Sequence, residues 1–452
     1  MRRDHAQLLA PSVALLLWLS PAAVRAQAAA APPPDHAPAG EEGFRLHIGG
    51  ELKAHARWSE DDRFPLAFPF PPDFVPVGQP NVALQTVAPG GSLEVSKALL
   101  HLDLEMPRGI GAHVKVGFVN LYDRNPTSTD QTVNVEEGWV VFGSKRGSLE
   151  PLPGTSFYLL AGKAPKLDRQ PFRRLESYGL VSTAFSRFND VQVQAGGSVG
   201  TRFYFVAQVS NGNPIFMRDP NVLAGDNGTD PPPDPDPKLH SGLPIIYHAE
   251  VEDLESDVRA EYGGGVGLRF LSADQQRGID LLGFYYGSRL QEAAKLRGTF
   301  YEGDLDLLDG TGGSSLPISG DRQWRCGANL DLRVGGLSAF AQLVKEELAG
   351  LPRTGFEVEV GYRIALGDLA DPADLFPAIQ PAFRFSRLEN DFQAPRAFVA
   401  PSLAWDWDKW DFGLRVTIVR RLDLTLEYAY HDIAASRPIQ HDEALATLRL
   451  QF

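Results

Sequence analysis

Three short motifs bring together residue types that are used in catalysis. Residues 196–200, Gly-Gly-Ser-Val-Gly, match the G-x-S-x-G pattern that exposes a nucleophilic serine between a strand and a helix. No helix-like periodicity follows them, so we interpret these residues as a hairpin turn between two strands. His431-Asp432 and His441-Asp442 pair an imidazole with a carboxylate, as a general base requires. Neither surface dipeptide has a partnered nucleophile, and we therefore predict that the chain is not an enzyme.

Residues that bind metals are sparse, and their spacing is poor. Cys326 is the single cysteine, and no Cys/His group has the spacing of a zinc site. The segment 226–236 carries oxygen-bearing side chains of the kind that Ca²⁺ prefers. Its Pro-rich surroundings and the absence of a bidentate Glu at loop spacing favour a solvated acidic loop, and calcium binding by residues 219–257 is left open. We predict no cofactor and no metal centre.

A cluster of basic residues between positions 163 and 187 is the clearest feature of charge. Six basic residues stand there against two acidic ones, namely Lys163, Lys166, Arg169, Arg173, Arg174 and Arg187 against Asp168 and Glu176. Basic side chains that line a narrow constriction of low dielectric constant concentrate anions and set selectivity. The alternative is a solvated loop whose charge is balanced by acidic neighbours.

The composition limits the class of protein that carries this cluster. The chain has 452 residues, of which 43% are hydrophobic, and a formal net charge of −14. An acidic chain is a poor nucleic-acid binder, because phosphate contacts need a basic face. No run of eighteen apolar residues follows position 26, which excludes a protein that spans a membrane with helices.

The N-terminus has the features of an export signal. Two arginines precede an apolar stretch at residues 8–19, and a small-residue cleavage site ends at Ala26. We therefore predict that residues 1–26 are a signal peptide, with a buried N-terminal helix as the alternative. Residues 27–42 are rich in Ala and Pro and are expected to form an extended or disordered periplasmic tether. The folded part is then 43–452.

Alternation of polar and apolar residues is the dominant pattern of this folded part. From Phe44 to Trp58 the even positions are apolar or small, while most odd positions are polar or charged. Fifteen alternating residues make a strand of roughly 50 Å at about 3.3 Å per residue. Strands in soluble sandwiches usually have about five or six residues, whereas a membrane strand needs about 9–11.

The same pattern recurs along the chain and predicts an all-β protein. Seventeen candidate strands can be counted, separated alternately by tight turns and by long Gly/Pro/Asp-rich loops. Bacterial single-chain barrels have an even number of strands. We therefore expect one strand to be missed at 296–307, or one to be split between Phe398 and Val419. The prediction is a transmembrane antiparallel β-barrel of 16 or 18 strands, a size that leaves an aqueous channel.

Charge decides which face of the strands meets lipid. A Lys or Arg on the lipid face near the bilayer midplane costs roughly 2–4 kcal/mol. Arg45, Lys53 and Arg57 share one face of the first strand, so that face is predicted to line a wet interior. The alternative is a soluble antiparallel β protein whose apolar face forms the core.

The C-terminal strand supports the barrel. Leu448, Leu450 and the terminal Phe452 share an apolar face. An aromatic last residue on an alternating strand is similar to the signature that the barrel-assembly machinery reads in bacterial outer-membrane barrels. The expected partners are that machinery and outer-membrane lipid. Five aromatic residues near this end suit an interfacial girdle, with core packing as the alternative: Trp405, Trp407, Trp410, Tyr428 and Tyr430.

A stretch of about fifty residues resembles the phosphate-selective porin O and P family. The likeness rests on Gly162-Lys163, on Pro171-Phe172-Arg173-Arg174, on 188–194, on 203–209 and on Ser210-Asn211-Gly212-Asn213-Pro214. It implies a sixteen-stranded trimeric channel with an inward-folded loop and lumenal Arg and Lys residues that attract anions. The loop at 164–187 is compact here, and a dense arginine ladder is not evident, so a general porin is the expectation.

The sequence therefore predicts a porin of the bacterial outer membrane that passes small hydrophilic solutes passively, with a preference for anions such as phosphate. The anion-selective residues are expected in the basic cluster and among Arg45, Lys53 and Arg57. Two alternatives stay open: a non-channel surface protein that uses its long loops for adhesion, and a β-barrel hydrolase.

Overall fold

The computed structural model describes residues 43–60, 63–65, 78, 83–85, 90–120, 133–185, 189–211, 260–289, 322–348, 350–369, 371, 374–392, 406–434, 438–439 and 442–452. Within these residues no helix is long and apolar enough to cross a bilayer. The export signal, the tether and the acidic loop at 219–257 lie outside the described residues, so the predictions about them stay predictions.

The described residues form a closed antiparallel barrel of sixteen strands, as the alternation predicted. In chain order the strands are β1 (Arg45–Ser59), β2 (Gly90–Met106), β3 (Ile110–Asn120), β4 (Asn134–Gly143), β5 (Ser156–Pro165), β6 (Asn189–Val199), β7 (Phe203–Ser210), β8 (Glu261–Leu271), β9 (Arg277–Arg289), β10 (Arg322–Val334), β11 (Leu337–Leu348), β12 (Leu351–Tyr362), β13 (Ala378–Asn390), β14 (Asp406–Val419), β15 (Leu422–Ala434) and β16 (Glu443–Gln451). The described part of 398–419 is one strand, β14. The candidate strands that begin at Phe398 and within 296–307 lie outside the described residues.

The barrel closes where the first strand meets the last. Lys53 of β1 is paired with Lys97 of β2 on one side and with Arg449 of β16 on the other. Phe452 continues this ladder, because its backbone N–H donates to the carbonyl of Gly50 at 3.2 Å and its carbonyl accepts from the Gly50 N–H at 3.1 Å. Every strand therefore has two neighbours, and no edge is left open to lipid.

The two ends of the barrel differ. Tight turns at 107–109, 200–202, 335–336 and 420–421 join strands at one end, which we call the inner end. Most connections at the opposite, outer end are long, and most of their residues lie outside the described part of the chain. In outer-membrane barrels short turns face the periplasm and long loops face outward. Residues 196–199 are a correction to the sequence prediction: they are the last residues of β6, and the turn begins only at Gly200, whose φ is +64°.

The strand faces are divided as the charge argument predicted. Leu46 and Leu52 of β1 point outward and are 53% and 43% exposed, whereas Arg57 points inward and is 4% exposed. The same division holds on the other strands, so the apolar face of the barrel is outside and the polar face is inside. A soluble protein would bury the apolar face, and the soluble alternative is therefore wrong.

Exposed aromatic side chains mark both ends of the outer surface. Phe142, Phe157, Phe203 and Phe270 lie near the inner end, and Trp58, Tyr262, Tyr285 and Tyr430 lie near the outer end. They correspond to the two aromatic girdles of a membrane barrel. Trp410 packs against Tyr430 with ring centroids 5.5 Å apart, as expected.

Trp407 is a correction to the predicted girdle. It is 2% exposed, lies on the inward face of β14, and its Nε1 donates to Nδ1 of His431 at 3.1 Å. Trp407 and Trp410 are three residues apart, and an odd spacing places them on opposite faces of a strand. Trp405 lies outside the described residues.

Candidate functional site

The connection between β5 and β6 folds into the barrel. It contains a short helix, α1 (Leu180–Phe185), and its apolar side chains Leu175, Leu180, Val181 and Phe185 are all buried. We call residues 166–185 the inward loop. A loop of this kind narrows the lumen only if the wall holds it, and several groups of contacts with the wall do so.

Lys166 makes the first attachment. Its Nζ lies 2.6 Å from Oε1 of Glu261 on β8 and 2.9 Å from Oδ2 of Asp190 on β6. The ammonium also lies 5.0 Å from the centre of the Tyr286 ring. All of these side chains are buried, so the charge of Lys166 is neutralised within the attachment and is not presented to the open lumen.

Asp168 makes the second attachment. Its Oδ1 accepts from the Tyr286 hydroxyl at 3.1 Å, and its Oδ2 lies 3.7 Å from Nη2 of Arg325. Its backbone carbonyl accepts from Asn329 and Gln342 on β10 and β11, at 2.8 and 2.7 Å. Both the side chain and the backbone at this position are thus fixed to the wall.

Glu359 of β12 receives the third attachment. Its Oε1 accepts from the backbone N–H of Arg174 at 2.7 Å and lies 3.3 Å from Nη1 of the same residue. Nε of Arg174 donates to Oγ of Ser338 at 2.7 Å. Gln170 also donates to Glu359, at 3.3 Å. Arg174 is therefore a structural residue of the loop.

The fourth attachment is a buried charge cluster under Ser177 and Tyr178. Arg384 donates to the carbonyls of both residues, at 3.1 and 2.9 Å. Nζ of Lys409 lies 2.6 Å from the Tyr178 carbonyl and 4.1 Å from the centre of its ring. Glu427 of β15 accepts from the backbone N–H of Ser177 at 3.0 Å. Because these groups are desolvated, the hydrogen bonds strongly favour one loop position.

Glu176 makes a further attachment, because its buried carboxylate binds three cations of the wall. Its carboxylate lies 2.7 Å from Nζ of Lys53, 2.8 Å from Nη2 of Arg415 and 3.4 Å from Nη1 of Arg449. Burial alone raises the pKa of the Glu176 carboxyl, but Lys53, Arg415 and Arg449 outweigh it and hold that pKa well below its usual range. Glu176 thus stays ionised at any ordinary pH.

A cavity of about 700 Å³ lies between the inward loop and the wall of the barrel. Ten basic and five acidic residues line it. The full chain has 57 acidic and 43 basic residues, so the lining reverses the charge balance of the protein. Walls of low dielectric constant focus the field of such a charge excess into the water between them.

Three of the basic lining residues form a row across the barrel seam. Arg449, Lys53 and Lys97 are directly opposite one another on β16, β1 and β2. Like charges in this position repel each other, and Glu51, which lies 3.3–3.5 Å from all three, offsets only part of the repulsion. Lys115 of β3 extends the basic surface and is paired with Glu136 at 2.7 Å.

The residues predicted for the site are thus divided by the structure. Arg169 and Arg173 line the cavity, where they donate to Asn189 Oδ1 and Ser182 Oγ, both at 2.8 Å. Lys53 also lines it. Lys166 borders the cavity as well, but its charge is paired with Glu261 and Asp190. The other candidates lie elsewhere: Arg174 is buried in a loop attachment, Arg57 is buried against Glu443 at 2.6 Å, Lys163 is half-buried on β5, Arg45 is exposed at the inner end, and Arg187 lies outside the described residues.

Sequence reasoning did not select Arg449 as a site residue, although Arg449 lines the cavity together with Lys97 and Lys115. Period two places each of them on the inward face, so that signal was present. The alternation does not give the strand register, which places Arg449 opposite Lys53 although nearly the whole chain separates them in sequence.

The described residues of the catalytic motifs lie in contacts between neighbouring strands, and His441 lies outside the described residues. Ser198 Oγ is 2.7 Å from Ser156 Oγ in a strand pair. His431 was predicted at the surface, and that was wrong: it is buried, and it contacts Trp407 and Glu443 inside the barrel. No group of three His, Cys, Asp or Glu residues within the described ranges is placed to hold a metal ion.

Two solved structures share this architecture. The outer-membrane channel DcaP of Acinetobacter baumannii is 11% identical, with a TM-score of 0.52, and the match covers 91% of this chain and 99% of that chain. OmpF of Salmonella typhi, in a complex with daunomycin, is 11% identical, with a TM-score of 0.50 and coverage of 91% and 98%. The barrel has the fold of an outer-membrane porin. At these identities the likeness concerns the fold alone, and no protein-family model and no curated protein matches the chain.

Proposed function

We propose that the chain is a porin of the bacterial outer membrane through which small hydrophilic solutes diffuse passively, anions more readily than cations. The observation that carries the preference is the lining of the lumenal cavity, in which nine basic residues besides the paired Lys166 stand against five acidic ones. Phosphate is one anion whose charge this lining would attract. The trimer and the phosphate selectivity implied by the family resemblance, and the role of the assembly machinery, stay predictions.

The basic residues of the inward loop form two groups with different roles, and this supports a channel. Lys166 and Arg174 are paired with carboxylates and hold the inward loop, whereas Arg169 and Arg173 of the same loop face the cavity. They line the same cavity as Lys53 and Lys97, so a solute passes basic groups of both the loop and the wall. The electric field of fixed charges decays within roughly 10 Å in about 0.1 M salt, and it therefore acts strongly on a solute that passes close to these residues.

The proposal is tested by the reversal potential of the purified full-length mature protein in planar bilayers under a salt gradient. We expect the wild-type protein to favour chloride over potassium. Arg169→Glu combined with Arg173→Glu changes the local charge by four units and should reduce or invert this preference. Arg174 is left intact, because a carboxylate beside Glu359 would release the loop.

The matched control is Arg108→Glu combined with Arg277→Glu. Both arginines are exposed at the inner end and do not line the cavity. The charge change is the same, so the control should keep the selectivity of the wild type. Absence of channel activity in the wild type would contradict the porin itself, and an unchanged reversal potential in the first double variant would contradict the anion filter.

A further inference from the structure

The connection between β4 and β5 is unlike the tight turns at the same end of the barrel. Residues 144–155 make up this inner segment, as we call it, whereas the connections 200–202, 335–336 and 420–421 have only two or three residues. Another long connection at this end, 363–377, is mostly exposed where it is described. The inner segment instead buries Leu149 and Leu152.

Arg269 of β8 holds the inner segment inside the mouth of the barrel. Its Nη1 donates to the backbone carbonyls of Gly147 and Glu150, at 2.9 and 2.8 Å. The guanidinium is itself fixed, because Nη2 and Nε lie 2.5 and 2.7 Å from Oδ2 of Asp280, and Tyr204 packs 4.8 Å from its centre. Nε and Nη2 thus fix this planar group on the wall, and Nη1 places one piece of backbone.

Two further contacts dock the inner segment on the same wall. Ser148 Oγ donates to Oδ2 of Asp331 on β10 at 2.6 Å. Leu149 packs against Gly278 of β9, because a Cβ added to Gly278 would lie 3.0 Å from Leu149 Cδ2. Leu149 has a φ of +58°, a left-handed conformation that is unfavourable for leucine. Docking contacts must outweigh that cost, so the inner segment is held in place by the wall.

The inner segment and the inward loop bound the same cavity. Ser144, Arg146 and Ser148 line it on the side of the inner end, and Arg169 and Arg173 line it on the side of the outer end. A solute that crosses the barrel must therefore pass two protein segments in series, each folded in from one end of β5.

We propose that the inner segment is a second constriction, which sets the size limit of the channel together with the inward loop, and that Arg269 is its positioning residue. This inference rests on the proposed porin function. Two constrictions in series add their resistances, so removal of one of similar width raises the conductance by up to about twofold. The inward loop keeps its basic residues, so the preference for anions should persist.

The test replaces residues 145–153 by a two-residue Asn-Gly turn, the type that joins strands most simply. Single-channel conductance is measured in 1 M KCl, where surface charge is screened within about 3 Å, and the size limit is measured with uncharged polyethylene glycols. We expect a conductance up to about twofold higher and entry of larger polymers. The matched control replaces nine residues of the exposed connection, 367–375, by the same turn and should behave as the wild type.

A milder variant keeps the inference testable if the shortened chain does not fold. Ser148→Ala combined with Leu149→Ala removes two docking contacts and leaves the wall intact. We expect open-channel current noise to increase, because the inner segment is released but still present. A wild-type protein without conductance would contradict the porin function. A conducting wild type whose shortened or doubly substituted form has the same conductance, noise and size limit would overturn the second constriction alone.

Discussion

Arg384 and Asp411 face each other on β13 and β14 inside the barrel, with Nε and Oδ2 2.9 Å apart and both side chains fully buried. Arg387 and Asp408 form a similar pair on the same two strands, with Nη2 and Oδ2 2.6 Å apart, but the arginine side chain is 40% exposed. Arg384 of the buried pair also donates to the carbonyls of Ser177 and Tyr178, so it connects the wall to the inward loop.

The two pairs should respond differently to the loss of the arginine. Arg384→Gln removes one buried partner of Asp411 and of Glu359, while Lys409 stays 2.7 Å from Asp411. Breaking a buried pair in this way costs up to about 3–5 kcal/mol. Arg387→Gln removes an exposed pair worth about 0–1 kcal/mol. Hydrogen exchange of the loop amides at 174–185 should accelerate strongly in the first variant and not in the second. Equal exchange in both would show that the loop is held by other contacts.

Substitutions of Lys53 and of Lys97 should have different effects on the channel. Both line the cavity, but only Lys53 also binds Glu176 of the inward loop, at 2.7 Å. Lys97→Gln should therefore lower the anion-to-cation permeability ratio and leave the current noise unchanged. Lys53→Gln should lower the ratio and also increase the noise, because one attachment of the loop is lost. Both quantities come from the same bilayer recordings, and identical noise in the two variants would contradict the loop contact.

Gly263 of β8 is required by the packing of an aromatic side chain. A Cβ at this inward position would lie 2.1 Å from Cδ1 of Tyr286, which is buried and held by Asp168. Gly263→Ala should therefore destabilise the barrel by about 1–3 kcal/mol, as overpacking does. Gly283 has nothing within 4 Å of its added Cβ, so Gly283→Ala is the control and should be close to neutral. Thermal unfolding in detergent compares the two variants.

Phe452 is predicted to contribute to assembly through both its backbone and its ring. Deletion of Phe452 removes two backbone hydrogen bonds to Gly50 at the seam, whereas Phe452→Ala keeps them. We expect the yield of barrel in the membrane to fall most for the deletion and less for the substitution. Deletion of 221–236, which lies outside the described residues, should leave the yield near that of the wild type. Equal yields for the two deletions would contradict a special role of the last residue.

Much of the barrel could be predicted from sequence because its determinants are local. Alternation between Leu52 and Lys53 places one residue in lipid and the other in the lumen, and no information about distant residues is needed. Repeated use of the same rule gave seventeen candidate strands, and the even number of strands in bacterial barrels reduced the choice to 16 or 18, of which 16 is observed. The prediction for Trp407 failed for a local reason as well. Its aromatic type was given more weight than its odd spacing from Trp410, which places the two residues on opposite faces of the strand.

The site was only partly predictable because its determinants are distant in the chain. The basic cluster of the inward loop is visible as composition, but the partners that neutralise Lys166 and Arg174 lie 95 and 185 residues away, at Glu261 and Glu359. Residues 144–155 were missed for a related reason. Their glycines and prolines indicate a surface turn, and Arg269, the residue that draws them inward, is 119 residues beyond Glu150.

Strand β5 joins the inner segment to the inward loop, and a single ten-residue element thus sets the distance between them. A slip of β5 by one residue against β4 and β6 would move both by about 3.3 Å in the same direction. It would also reverse the faces of the strand, turning Leu160 from the interior into lipid. The register of β5 therefore fixes the distance between the two segments along the path of the solute. Insertions before Ser156 or after Pro165 can change the width of either opening and leave that distance unchanged.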